Sequence, residues 1–96
     1  MPTGAPPVSI LDRAWALDER VALRPEPFGA LAYHFGTRRL SFLKSPLLLA
    51  TVRGLAEHAT ARDACLAAGV TKEKLGDYER ALGTLAGSGM IAERTG

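Results

Sequence analysis

This 96-residue chain is short of aromatic residues (six), cysteine (one) and net charge (+2). Each shortage excludes something. A single cysteine, Cys65, rules out an internal disulfide framework and fits a reducing cytoplasm. The charge is too small to mark a nucleic-acid surface by itself, since such surfaces concentrate basic residues. No apolar run approaches the roughly 20 residues that span a bilayer. The N-terminus shows no basic segment followed by an apolar stretch, so no signal peptide is expected. At 47% hydrophobic and 23% charged, the composition suits one globular domain with a single modest core.

Catalytic and metal-binding constellations are also missing. His34 and His58 are 24 residues apart, and neither has a second ligand at helical spacing. No set of glycines has the spacing of a phosphate-binding loop. His34 reads as a solvated strand histidine, His58 as a residue closing a helix, and Cys65 as a buried, inert thiol. The expectation is a protein without enzymatic activity, cofactor or metal.

What the chain does have is an organising stretch at residues 25–46. Two strand-forming runs, Ala30–Phe35 and Arg38–Leu43, flank Gly36-Thr37, which suits a two-residue type II′ turn. That turn sets Phe35 opposite Arg38, Tyr33 opposite Leu40 and Leu31 opposite Phe42. Side chains alternate along a strand, so Leu31, Tyr33, Leu40 and Phe42 share the more apolar face. Ala30, Ala32, His34, Arg39, Ser41 and Leu43 share the other.

The flanking segments complete the pattern. Residues 1–7 read as a Pro-rich tail, and Val8–Leu17 as a short helix, a strand or a docking arm. Val21–Arg24 reads as a first strand, ended by Pro25 and Pro27. Ser45-Pro46 opens a helix with a serine cap and a proline in the first turn. Thr60 with Asp63 opens a second helix, which Gly69 closes. A third begins at Thr71, carries Leu75, Tyr78, Leu82 and Leu85, and ends at Gly87-Ser88-Gly89 before a short strand at Met90–Ala92. The fold class is α+β: a three-stranded antiparallel sheet followed by a three-helix winged helix-turn-helix unit. Its boundaries are a flexible arm over 1–14, a domain over 15–93 and a tail over 94–96.

Two features point to a peptide ligand. The second hairpin strand has one neighbour, leaving its other edge as a template for strand addition. Gly76 and Gly83 align on the third helix, where bare backbone lets another chain approach closely. The competing reading is a DNA-binding winged-helix regulator using Lys72–Arg80. Glu73, Asp77 and Glu79 on the same helix would oppose phosphates, so nucleic acid is the weaker reading.

The run from Leu23 to Leu43, LRPEPFGALAYHFGTRRLSFL, resembles the peptide chaperones of mycofactocin biosynthesis. These belong with the precursor-recognition domains of ribosomally made, modified peptides, among them the chaperone of pyrroloquinoline quinone biosynthesis. The likeness runs from about Trp15 to Glu93, and the hairpin is its specific part. It implies a cytoplasmic, non-catalytic chaperone that binds a precursor's leader and hands it to a radical S-adenosylmethionine enzyme. It further implies a leader strand added along Arg38, Arg39, Leu40, Ser41, Phe42, Leu43 and Lys44. The groove wall would come from Lys74, Leu75, Tyr78, Glu79 and Leu82 on the third helix. Neither a membrane nor a metal is implied, and the lone Cys65 agrees with a chaperone that holds no iron–sulfur cluster.

Overall fold

A computed structural model describes residues 9–94. The tail expected over 1–7, together with Val8, Thr95 and Gly96, lies outside them. Strand β1 (Trp15–Leu17) follows a 3₁₀ turn at Ile10–Asp12. Strands β2 (Val21–Glu26), β3 (Gly29–His34) and β4 (Leu40–Leu43) form an antiparallel sheet in the order β2-β3-β4. Helices α1 (Pro46–Gly54), α2 (Ala61–Ala68) and α3 (Leu75–Gly87) follow, and β5 (Ile91–Glu93) returns to pair with β1. The protein is α+β, as the pattern predicts.

The register of β3 on β4 is the expected one, with Leu31 opposite Phe42 and Tyr33 opposite Leu40. The turn that sets it is different. Gly36 does not take a positive φ; Arg38 does, at 62°. The Arg38 N–H donates to the His34 carbonyl at 2.7 Å, and the His34 N–H donates to the Arg39 carbonyl at 2.9 Å. This makes a wider loop with a bulge at Arg38. His34 explains the change, because its Nδ1 accepts the N–H groups of Gly36 and Thr37 at 2.9 and 3.0 Å.

His34 also corrects the expectation that it is solvated, being only 1% exposed. The less apolar face of the hairpin is the buried one. Ala30, Ala32, His34 and Leu43 face the core, while Tyr33, Leu40 and Phe42 face out. Close approach is the reason: small side chains let α1 pack directly under β3 and β4. Gly29 marks the tightest point, at φ 149°, where a Cβ would lie 2.1 Å from the Leu43 carbonyl oxygen.

Pro25 does not end β2; it pairs opposite Ala30. The Phe35 N–H donates to the Arg20 carbonyl at 2.8 Å, so alternate β2 residues from Arg20 on make the ladder bonds. Pro25 falls between them, with its nitrogen on the free side of an edge strand, where a missing N–H costs nothing.

The helix punctuation follows the sequence for α1 and α2, whereas α3 begins at Leu75, after a 3₁₀ turn over Lys72–Lys74, and not at Thr71. Ser45 Oγ accepts the Leu48 N–H at 3.0 Å, Thr60 Oγ1 accepts that of Asp63 at 3.2 Å, and Gly69 closes α2 at φ 106°. Residues 9–14, within the stretch expected as a flexible arm, pack against the domain. Leu11 is buried in the core, Asp12 pairs with Arg62 at 3.0 Å, and the Ser9 hydroxyl bonds to the Glu79 carboxylate. The core gathers Leu11, Leu43, Val52, Leu55, Cys65, Leu82, Leu85 and Met90 between the inner sheet face and the helices. No helix among the described residues is long and apolar enough to cross a membrane.

Candidate peptide groove

The β4 strand is an edge, with β3 on one side and, among the described residues, no strand on the other. Alternation decides which of its backbone groups are free. Because His34 bonds to Arg39, the ladder positions continue through Ser41 and Leu43, opposite Ala32 and Ala30. The N–H and C=O groups of Leu40 and Phe42 therefore point away from the sheet. Two hydrogen-bonding residues are on offer to an added strand, and Ser41 is not one of them.

Beside this edge the chain forms a hollow of about 340 Å³, lined by Ser41, Phe42, Lys44 and Leu48 on one side and Ala81, Thr84 and Leu85 of α3 on the other. It adjoins a second hollow of about 240 Å³ where Lys44, Ser45 and Leu48 meet Asp77, Tyr78 and Ala81. The Tyr78 hydroxyl lies 3.0 Å from Ser45 Oγ, tying α3 to the capping residue of α1. A larger open hollow, about 450 Å³, lies between Ala16–Arg20 and Ala92–Arg94. It is rich in charged side chains, and none of the expected peptide-contact residues reaches it.

The expected site residues divide into five groups. Ser41, Phe42, Lys44 and Tyr78 line the groove. Arg38, Arg39 and Leu40 are exposed at the hairpin end of β4. Lys74 borders a further hollow beyond Tyr78, with Leu47 and Val70. Leu43, Leu75 and Leu82 are core residues that support the groove from beneath, and Glu79 bonds to Ser9 on another side of α3.

Sequence reasoning missed Leu48, Ala81, Thr84 and Leu85. The signal was present, since Asp77, Tyr78, Ala81, Thr84 and Leu85 repeat at helical spacing. The leucine stripe drew attention to the neighbouring, buried face. Gly76 and Gly83 lie about 140° and 160° around α3 from Ala81, the middle of the groove-lining stripe, at about 100° per residue. A Cβ at either would meet nothing within 4 Å. Their bare backbone thus faces open space and not the groove.

Charge around the groove is light. Lys44 makes no ion pair among the described residues, whereas Arg80 is paired with Asp77. Burial pushes the Cys65 thiol above its ordinary pKa, so it is a poor nucleophile at neutral pH. Among the described residues no three of His, Cys, Asp and Glu come together as metal ligands would.

Comparison with known proteins identifies the family. Residues 14–92 match the profile of the peptide chaperone MftB family. Three relatives named peptide chaperone MftB are also similar. The protein of Mycobacterium ulcerans (strain Agy99) is 59% identical over 80 residues, covering 83% of this chain and 73% of its own. That of Mycobacterium tuberculosis (strain ATCC 25618 / H37Rv) is 54% identical over 83 residues, or 86% and 76% of the two chains. That of Mycolicibacterium smegmatis (strain ATCC 700084 / mc(2)155) is 52% identical over 80 residues, covering 83% and 78%. No solved structure matches. The chain belongs to the peptide chaperone MftB family, a family of peptide chaperones and not of enzymes.

Proposed function

We propose that this member of the MftB family binds the leader of the mycofactocin precursor peptide as a fourth strand on β4. It then delivers the peptide to a radical S-adenosylmethionine maturase in the cytoplasm. The observation that carries this reading is the unpaired β4 edge standing beside an apolar groove. Backbone bonds at Leu40 and Phe42 give sequence-tolerant affinity, while the groove selects among side chains. Alternate leader residues would enter between β4 and α3, meeting Leu48, Tyr78, Ala81 and Leu85. Arg38, Arg39 and Lys44 flank the added strand, and Leu43, Leu75 and Leu82 act as its support. With its carboxylate held by Ser9, Glu79 takes no part in this peptide site.

The experiment is calorimetric titration with synthetic leader, using proline as a backbone probe. Phe42→Pro removes an outward N–H without touching the β3–β4 ladder, so the domain should stay folded. Leader affinity should fall about 5- to 100-fold, the range for leaving one partner of a hydrogen bond unmatched. Phe42→Ala keeps that N–H and should lose much less. If Phe42→Pro binds leader like the unmodified chain, strand addition at this edge is wrong.

A further inference from the structure

All three phenylalanines and one of the two tyrosines are on the solvent side of this protein, not in its core. Phe28, Tyr33, Phe35, Leu40 and Phe42 are each at least 36% exposed, Phe35 reaching 63%. Tyr33, Leu40 and Phe42 stand on the outer face of the sheet, and the loop residues Phe28 and Phe35 extend it at either end. The rings touch: Phe28 and Phe42 have centroids 6.1 Å apart, and Tyr33 and Phe35 meet edge-on at 5.3 Å. Two aromatic pairs exposed on one sheet face of a small domain mark an interaction surface.

The leader does not cover it. A strand added to β4 widens the sheet by roughly 4.8 Å and presents alternate side chains to each face. The outer face is left open, one residue wider, and continuous with the bound peptide. A flat apolar sheet face is closed by a packed layer, which a folded protein supplies and a single extended peptide does not.

Charge selects the partner. Arg38, in the turn at the hairpin end of the patch, makes no ion pair among the described residues. The acidic Glu26 on β2 is already held by Arg24 at 2.8 Å. Two copies packed face to face would therefore bring basic rims together, an unfavourable arrangement. We propose that this outer face docks a folded partner whose apolar patch is rimmed by carboxylates. Resting on the function proposed above, we assign that partner as the enzyme that receives the peptide. Docking there places the enzyme on the same strand, β4, whose edge holds the leader.

The test uses the radical S-adenosylmethionine enzyme and the synthetic leader as separate probes, against the unmodified chain and a Phe28→Ser/Phe35→Ser variant. Both substituted residues are exposed and lie off the β4 edge. The variant should bind leader within about threefold of the unmodified chain but bind enzyme at least about tenfold more weakly, as for loss of central aromatic anchors. Equal enzyme affinity for both proteins would overturn the docking face. So would an unmodified chain that binds leader but no enzyme, which leaves leader recognition standing. An unmodified chain that sediments as a dimer, with the variant a monomer, would give the face to a second copy and also overturn the assignment. Enzyme binding lost in the variant, in a chain that never binds leader, would support the docking face while sinking the leader-binding reading.

Discussion

The two faces of the three-stranded sheet are built from the same short strands but by opposite rules. The inner face uses Ala30, Ala32 and Leu43, nearly inaccessible to solvent, with α1 pressed against them. The outer face uses Tyr33, Leu40 and Phe42, larger residues left in water. Hydrophobicity alone would turn the sheet over. The comparison teaches that closeness of approach, not apolar content, chose the buried face. Small side chains suit a helix lying directly on the backbone, and bulky ones are left on the solvent side.

That contrast is breakable. Gly29→Ala should have the largest effect, because the new methyl would collide with the Leu43 carbonyl at the point of closest approach. The unusual backbone angle alone costs an alanine about 1–3 kcal/mol. With the clash added, a total of about 4 kcal/mol or more is expected, read by urea denaturation. Leu43→Ala, on the inner face, should cost about 2–5 kcal/mol as a cavity in a filled core. Phe42→Ala, its neighbour on the same strand, is 57% exposed and should change stability by no more than about 0.5 kcal/mol. If the two truncations cost the same, the assignment of the faces is wrong.

The smallest effect concerns pH at the hairpin base. The Arg20 side chain and backbone N–H hold Asp18 below its ordinary pKa of 3.8. A carboxylate with a depressed folded pKa contributes stability that is complete above the unfolded value. That contribution fades as pH falls through the folded value. Asp18→Asn should therefore lower the unfolding midpoint slightly near neutrality, with the difference closing as pH falls below about 4, so that the acid limb is flatter.

Much of the backbone was legible because local chemistry determines it. The caps at Ser45, Thr60 and Gly69 are read from residues three or four positions apart, and all three hold. The pairing of Leu31 with Phe42 is legible too, since a one-residue slip would exchange the faces. The turn was not, because a side chain from within the strand, His34, intervenes in it. The β1–β5 ladder was not, since it joins Trp15 to Glu93 and no local signal reaches that far. For the groove, the sequence pointed to β4 and α3, the elements that flank the hollow. It misjudged the helix face, because leucines that line a groove and leucines that fill a core obey the same spacing.

The β1–β5 ladder has a practical consequence. The Arg94 N–H donates to the Ala14 carbonyl at 2.8 Å, and Arg13 pairs with Glu93 at 2.9 Å. The last strand thus closes on the first as a clasp closes a bracelet, and the end of the described chain cannot come loose without giving up its bonds to β1.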